Sequence, residues 1–214
     1  AHRHYLVPGK QHFKAQDSKV EGDWSQAAFW TVGGALGAGI TASGVDFASL
    51  QGDKAVVEIM QRMGADIAKN ADSVTVNSGA TQATIIDASN CPDIIPVLTV
   101  LAAVSEGTTK IINAGRLRIK ECDRLAAITS ELNKMGAAIT EEAEGLTISG
   151  KPEGLRGGVE ADAWNDHRIA MSLAIAAQCC AEPITLTGAD SVSKSYPDFW
   201  QDYKSVGGKI EVLA

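Results

Sequence analysis

The sequence has no long apolar run and no excess of positive charge, and each absence excludes a class of protein. Its longest apolar run, Ile94–Val104, contains Pro96 and falls short of the ~20 residues that a membrane-spanning helix needs. We therefore expect no membrane association. The formal net charge is −7, from 19 Lys and Arg against 26 Asp and Glu. A broad nucleic-acid surface needs concentrated positive charge, so we expect none and look for local anion sites instead.

The sequence also has few cysteines, and they are not spaced as metal or disulfide cysteines are. There is no Cys-x-x-Cys pair, which predicts neither a zinc site nor a disulfide framework, and a reducing, cytoplasmic compartment fits best. The chain begins with Ala1-His2-Arg3-His4 rather than Met. We interpret this start as that of a partial chain, with His2 and His4 as terminal residues rather than metal ligands. The cysteines are Cys91, Cys122, Cys179 and Cys180.

What the sequence does contain is a threefold internal repeat of about 71 residues. Three kinds of anchor recur at spacings of 70 to 73 residues: a β-type run that ends in glycine, a helix end closed by glycine, and a polar corner before a helix of small residues. Glycine at a helix end suits a left-handed cap. The anchors are Gly44, Gly115 and Gly188, then Met63–Ile67, Met135–Ile139 and Val206–Ile210, and finally Asp23, Asp93 and Asp166.

The repeat predicts one α/β (α+β) domain of three βαβαββ units, at about 20–79, 80–150 and 151–214. The first helix of each unit is apolar on most faces and should lie at the centre, while the second is amphipathic and should lie between that centre and outer sheets. Residues 1–19 are assigned to the end of a preceding, missing domain or linker. Unit three stops before its last strand, which must then come from another segment. The helices are expected at 26–34, 93–105 and 166–180, and at 53–63, 123–135 and 197–205.

Repetition should bring the corners of all three units to one end of the domain. Helix N-termini already favour anions, and basic residues at these corners, Arg124, Arg168 and Lys194, predict a phosphate or carboxylate pocket. Asp93 and Glu121 become acid/base candidates in such surroundings.

Structural alternatives remain open for these residues. The Asn90–Asp93 segment could be an ordinary helix N-cap. If 120–124 is helical, Lys120 shares a face with Arg124, and Glu121 with Arg124 could be a surface helix pair. His167 could be a satisfied histidine at a helix start and Lys194 a solvated loop lysine. The glycine cluster Gly33–Gly39 lacks the G-x-G-x-x-G order, so we expect a turn and not a dinucleotide loop.

Six segments resemble, in order, motifs of the 5-enolpyruvylshikimate-3-phosphate (EPSP) synthase family. The Lys-Glu-x-Asp-Arg motif at 120–124 and the Asn-Asp-His-Arg-x-Ala-Met motif at 165–171 are the most specific. The related UDP-N-acetylglucosamine enolpyruvyl transferases share the repeated fold but not this pair. The segments are Val20–Ser25, Leu50–Asp53, Pro92–Asp93, Leu117–Leu125, Asn165–Met171 and Lys194–Phe199.

The resemblance implies a two-domain enzyme of the shikimate pathway, in a family that is the target of glyphosate. Each domain would hold three units, with the active site between the domains, and this chain resembles only the C-terminal domain. The reaction transfers the enolpyruvyl group of phosphoenolpyruvate to the 5-hydroxyl of shikimate 3-phosphate and releases phosphate. It uses no metal or organic cofactor. The missing N-terminal domain would supply much of the site, so the chain alone should have little turnover.

The resemblance also implies roles for particular residues. Arg124, Arg168 and Lys194 would bind phosphoenolpyruvate. Asp93 would contact the shikimate hydroxyls and act as base toward the attacking one, and Lys120 would lie near the same substrate.

Two further residues acquire roles, and two depart from the family pattern. Glu121 would exchange protons with the methylene carbon, and His167 would tune it. Arg116 stands where a shorter polar or acidic side chain that binds substrate is expected, and Cys122 replaces the usual Thr or Ser. Two other hypotheses stay open: a related enolpyruvyl transferase with another acceptor, and a non-catalytic anion-binding repeat module.

Overall fold

A computed structural model describes residues 4–37 and 39–213, so the expectations for His2 and for the chain end at Ala214 lie outside the described residues. Residues 4–23 contain no helix or strand, and nearly all of them are exposed. Their assignment to a preceding segment stays a prediction. No helix in the described ranges is long and apolar enough to cross a membrane.

Helices and strands follow one another in three similar blocks. The first block contains α1 (Trp24–Leu36), β1 (Ile40–Ser43), α2 (Ala55–Arg62), β2 (Asp66–Lys69) and β3 (Ser73–Asn77). The second contains β4 (Ile85–Asp87), α3 (Ile95–Ala103), β5 (Thr108–Ile112), α4 (Arg124–Lys134), β6 (Ala138–Glu142) and β7 (Gly145–Ser149). The third contains β8 (Glu160–Asp162), α5 (His167–Ala176), β9 (Thr185–Thr187) and α6 (Phe199–Ser205).

The three helices α1, α3 and α5 pack against one another at the centre of the molecule. Every residue of α3 and of α5 is buried, as the apolar character of these segments predicts, because a helix without a polar face must be surrounded by other elements. Helices α2 and α4 bury one face each, through residues such as Met60 and Leu132. The predicted arrangement of buried helices with sheets outside is confirmed.

Each block carries its own sheet. The first has the order β1-β3-β2 and the second β4-β5-β7-β6, while the third pairs β8 with β9. The pairs β4–β5 and β8–β9 are parallel, as expected for strands joined by a crossover helix, and the other pairs are antiparallel. Alternate residues of β3 and β7 are buried against the helices, including Val74, Val76, Leu146 and Ile148.

The strand prediction is wrong at both ends of the repeat. Described residues 4–23 of the first block contain no initial strand, and a backbone bond from Gly22 N to Gly44 O at 2.9 Å marks the place where it was expected. In the third block a strand was expected to begin within residues 208–213, but these described residues form no strand. The reason lies in the strand order: β3 lies between β1 and β2, and β7 between β5 and β6. Without the corresponding last strand, residues 208–213 have no neighbour to pair with.

Helix α1 is longer than the predicted 26–34, because it begins at Trp24 and continues to Leu36, into the glycine cluster Gly33–Gly39 that was expected to form a turn. A Cβ atom on Gly34 would lie 2.8 Å from the carbonyl oxygen of Val76 and 2.9 Å from the backbone nitrogen of Ile40. Glycine therefore allows the helix to approach β1 and β3 closely, which outweighs its poor helix propensity.

We expect Gly34→Ala to lower the free energy of unfolding by about 1–3 kcal/mol, because the backbone atoms it meets cannot yield cheaply. Gly33→Ala is the matched control. Its Cβ would meet the ends of the Ile175 and Gln178 side chains at 3.2 and 3.4 Å, which can move, and alanine favours the helix by up to ~1 kcal/mol. Urea denaturation of both variants checks this, and equal stabilities would contradict the packing argument.

Candidate active site

The N-terminal ends of α3, α4 and α5 meet around the side chain of Arg124, the first residue of α4. This side chain is only 1% exposed. Its Nη1 donates to Asp93 Oδ1 at 2.8 Å, its Nε to Asp166 Oδ2 at 2.7 Å, and its Nη2 to Glu121 Oε2. The alternative of a surface pair between Glu121 and Arg124 is wrong, because the guanidinium is buried. The Arg124 guanidinium bonds to carboxylates from three segments of the chain.

The Asp93 carboxylate is the second centre of this cluster, because three cations face it. Lys120 Nζ lies 3.0 Å and Arg124 Nη1 2.8 Å from its Oδ1, and Arg168 Nη2 lies 3.7 Å from its Oδ2. Burial opposes ionisation, but the charge of Arg168 and the contacts with Lys120 and Arg124 outweigh it and hold the pKa of Asp93 below its usual value. The N-cap alternative is right in part, since Asp93 is an acidic residue in the first turn of a helix start, but its carboxylate also pairs with three cations. The short turn Pro92–Ile94 begins at an N-cap without a side-chain bond.

Residues 120–123, directly before α4, are not helical, contrary to one expectation. Helix α4 begins at Arg124, and Asp123 is its N-cap, accepting from Ala126 N at 3.1 Å. Arg118 fixes the preceding segment, since its Nη1 donates to Asp123 Oδ2 at 2.8 Å and its Nε to the carbonyl oxygen of Ala143, also at 2.8 Å. Lys120 therefore meets Arg124 at the Asp93 carboxylate and not along one helix face.

Glu121 and His167 lie side by side at the edge of the cluster, with Glu121 Oε1 3.9 Å from His167 Nδ1. The Glu121 side chain is 40% exposed and that of His167 is 7% exposed. His167 Nδ1 is buried without a hydrogen-bond partner among the described residues, so the alternative of a satisfied histidine is wrong. Burial and the charge of Arg168 lower the pKa of His167, which keeps the imidazole neutral at pH 7.

Cys122 lies behind Glu121, with its Sγ 3.6 Å from Asp166 Oδ2. Burial and the Asp166 carboxylate raise the pKa of this thiol to about 12. It therefore stays protonated and can donate weakly to the carboxylate, as a hydroxyl would.

The start of α5 is set by Asp166, a residue that the sequence analysis did not assign to the site. It is 0% exposed, and its Oδ1 accepts from Arg168 N at 2.8 Å. Burial opposes its ionisation, but the bonds from Arg124 outweigh it and lower the pKa of Asp166. The signal that could have identified it was the repeat, because Asp166 stands where Asp23 and Asp93 stand in the other units.

The backbone just before Asp166 has an uncommon conformation. Trp164 and Asn165 have φ angles of +52° and +51°, which residues other than glycine seldom adopt. The Trp164 indole Nε1 donates to Glu131 Oε1 at 3.0 Å and helps to hold this turn. Asn165 accepts two bonds from Lys194 Nζ, at its carbonyl oxygen and at Oδ1.

Lys194 therefore lies at the same corner as the other cations but does not touch them. It is exposed, and its Nζ donates to Asn165, the residue before the Asp166 carboxylate that accepts from Arg124. The alternative of a solvated lysine is right in that the residue is exposed, but its ammonium group is held by Asn165.

Comparisons with known proteins identify the family. The sequence model of the family described as EPSP synthase (3-phosphoshikimate 1-carboxyvinyltransferase) matches residues 1–203. The chain belongs to the EPSP synthase family. It is 52% identical over 211 residues to the 3-phosphoshikimate 1-carboxyvinyltransferase of Clostridium kluyveri. The match covers 99% of this chain and 49% of that protein. The protein of the same name from Clostridium beijerinckii is 54% identical over 209 residues, with 97% of this chain and 48% of that protein covered.

Solved structures agree with this family assignment. EPSP synthase from Acinetobacter baumannii superposes with a TM-score of 0.83 at 31% identity, over 91% of this chain and 48% of that chain. The enolpyruvyl transferase NikO from Streptomyces tendae, at 22% identity and a TM-score of 0.73, shares the fold. The chain spans about half the length of the curated relatives it matches.

In this member of the EPSP synthase family, most of the predicted site residues share one cluster, and Arg116 does not. Arg116 is exposed, and its Nη1 lies 3.4 Å from the carbonyl oxygen of Ser89. It lines an open cavity of about 520 Å³ next to Asn113 and Glu144. Within the described ranges, no group of three or more His, Cys, Asp and Glu side chains is arranged to hold a metal ion.

Proposed function

We propose that the chain is the C-terminal half of a 3-phosphoshikimate 1-carboxyvinyltransferase. Such an enzyme moves the enolpyruvyl group of phosphoenolpyruvate to the 5-hydroxyl of shikimate 3-phosphate and releases phosphate. The observation that carries this proposal is the Asp93 carboxylate with Lys120, Arg124 and Arg168 around it. An acidic protein has concentrated its cations at the corner where family motifs from two units meet.

These cations differ in how readily they can bind an anionic substrate. Arg124 is buried and already bonded to three carboxylates, so it would have to exchange one of them for the ligand. Arg168 approaches the Asp93 carboxylate only to 3.7 Å and is otherwise bonded to neutral oxygens, the Asp93 carbonyl and Ser25 Oγ. Lys194 is an exposed residue whose Nζ is bonded to Asn165. Arg168 and Lys194 are therefore the first contacts that we assign to the phosphate and carboxylate of phosphoenolpyruvate.

Anion binding would also change Asp93. Its low pKa makes it a weak base in the free protein. When phosphoenolpyruvate attracts Lys120 and Arg168, these cations stabilise the Asp93 carboxylate less, and its basicity rises. Asp93 then accepts the proton of the 5-hydroxyl as that oxygen bonds to C2 of the enolpyruvyl group.

Glu121 would carry the second proton. In the addition step it gives a proton to the methylene carbon, which becomes a methyl group of a tetrahedral intermediate. In the elimination step the bond from C2 to the phosphate oxygen breaks, and Glu121 takes a proton back from the methyl group. Phosphate leaves with the proton that Asp93 had accepted, so that both carboxyls return to their starting state. His167, neutral beside Glu121, would help to hold that carboxyl in position.

The other half of the enzyme is the partner that this proposal requires. It would supply the remaining contacts with shikimate 3-phosphate and the opposite wall of the cleft. The cytoplasmic location and the absence of a metal or organic cofactor stay predictions.

A phosphate-release assay tests the proposal. The chain joined to the N-terminal half of a relative, such as that of Clostridium kluyveri, should release phosphate from phosphoenolpyruvate when shikimate 3-phosphate is present, and the chain alone should show little turnover. Release that depends on UDP-N-acetylglucosamine instead would favour the alternative acceptor. No release with either acceptor would favour the non-catalytic module. Enzyme-like rates from the chain alone would contradict the claim that it is half of a site.

A further inference from the structure

Asp53 lies at the same end of the domain as the Asp93 cluster, in the short turn Gly52–Lys54 that precedes α2. This turn packs directly on the loop before Asp93: a Cβ atom on Gly52 would lie 2.0 Å from the carbonyl oxygen of Asn90. The side chain of Gln51 ties the turn to the start of α1, since its Oε1 accepts from Trp24 N at 2.8 Å. The position of Asp53 is therefore fixed by contacts with two other corners.

The carboxyl group of Asp53 has none of the bonds that its position predicts. Asp53 precedes Asp123 by 70 residues, one repeat, and Asp123 caps α4 and binds Arg118. Among the described residues the Asp53 carboxyl accepts no hydrogen bond, and its Oδ1 is buried without a partner. A buried, unpaired carboxyl oxygen destabilises the fold, so a role as helix cap or ion-pair partner does not account for it.

The groups that face Asp53 come from each of the surrounding corners. They are the carboxylates of Asp93 and Asp23 and the cations Arg168 and Lys120. Burial and, after it, the charge of Asp93 raise the pKa of Asp53 to about 6, although Arg168 and Lys120 oppose the shift. Asp53 is therefore uncharged in mildly acidic solution and ionised above neutrality, while Asp93, with its lowered pKa, is ionised throughout.

We propose that Asp53 is a positioning residue that sets how strongly the Asp93 cluster binds an oxyanion. When its carboxyl is uncharged, Arg168 and Lys120 have only Asp93 to neutralise and can attract the anion. When it is ionised, a second carboxylate competes with the anion for the same two cations. The inference rests on the proposed function only for naming phosphoenolpyruvate as the natural anion, since the charge coupling applies to any oxyanion.

Sulfate binding to the 214-residue chain between pH 5 and 7.5 tests this role, because sulfate keeps its charge over that range. In the unchanged chain the affinity should fall with rising pH by about 5- to 10-fold more than in Asp53→Asn. His167 is present in both proteins, so the comparison removes any contribution from it. Asp53→Glu, which restores a titrating carboxyl, should restore the steeper fall. Asp72→Asn is the matched control, an equal charge change at an exposed residue of the same unit, and should leave the pH dependence unchanged.

Carbon-13 NMR of the side-chain carboxyls gives a readout that a purely structural role would not move. Asp53 should titrate near pH 6. The Asp93 signal should show a small second step at the same pH, which Asp53→Asn removes. A midpoint for Asp53 near that of an ordinary aspartate, sulfate binding too weak to measure at pH 5, or the same pH dependence in Asp53→Asn as in the unchanged chain would overturn the proposal. None of these measurements requires turnover, so failure of the enolpyruvyl transfer assay alone would overturn the proposed function and leave this inference standing.

Discussion

Replacing Arg124 by methionine is expected to lower the free energy of unfolding by about 3–5 kcal/mol, because it leaves buried carboxylates without their counter-charge. Asp166 would suffer most, since it is 0% exposed and both its oxygens accept from Arg124. Urea denaturation at pH 7 measures the effect. Arg62→Ala is the control: it breaks an exposed pair with Glu58 at 3.2 Å and should cost less than ~1 kcal/mol.

Two further measurements separate lost charge pairing from lost packing. Adding Asp166→Asn to Arg124→Met removes the stranded charge and should recover part of the stability. The pH dependence of the free energy of unfolding should also show the lost charge pairing. Arg124 lowers the pKa of Asp166 in the folded protein, so the stabilisation is complete above the unfolded pKa of ~3.9 and is lost as pH falls below it. The penalty of Arg124→Met should therefore be smaller at about pH 3, below that unfolded pKa, than at pH 7. An equal penalty at both values, with no recovery in the double variant, would indicate packing alone.

Asp93→Asn is expected to lower kcat of the chain joined to its N-terminal half by about 10²- to 10⁴-fold, because an amide cannot accept the proton of the attacking hydroxyl. The KM for phosphoenolpyruvate should not rise, since the substitution removes a carboxylate that competes with the substrate for Lys120 and Arg168. Steady-state phosphate release gives both constants. Asp72→Asn, far from the cluster in sequence and exposed, is the control. A raised KM with unchanged kcat would show that Asp93 only organises the binding site.

The repeat predicted much of the fold, because it is a property of the whole chain and not of one window. The central position of α1, α3 and α5 followed from segments that are apolar on most faces, and the structure confirms it. The absent strands at 208–213 could not be predicted from local pattern. A strand needs a neighbour in its sheet. In the first two blocks that neighbour is the last strand, β3 or β7, and the described third block has no strand that corresponds to it.

The composition of the site was easier to predict than its geometry. Spacing indicated which corners meet, and so brought together Asp93, Arg124 and Arg168. It did not show that Arg124 would be buried among three carboxylates, because burial depends on how deeply α4 docks. Nor could it distinguish Asp123, which caps a helix, from Asp53, which stands one repeat earlier and caps nothing.

The measurement that tests the account most directly is phosphate release by Glu121→Gln in the joined enzyme, with shikimate 3-phosphate and phosphoenolpyruvate both saturating. Glu121 lies 3.9 Å from His167 and is 40% exposed at the edge of the cluster, where a reacting carbon could reach it. Glutamine keeps the shape and a hydrogen-bonding oxygen for Arg124 but cannot deliver or accept the proton, so we predict a loss of about 10²-fold or more in kcat. Turnover equal to that of the unchanged enzyme would contradict the account and would favour a scaffold that binds anions without catalysing their reaction.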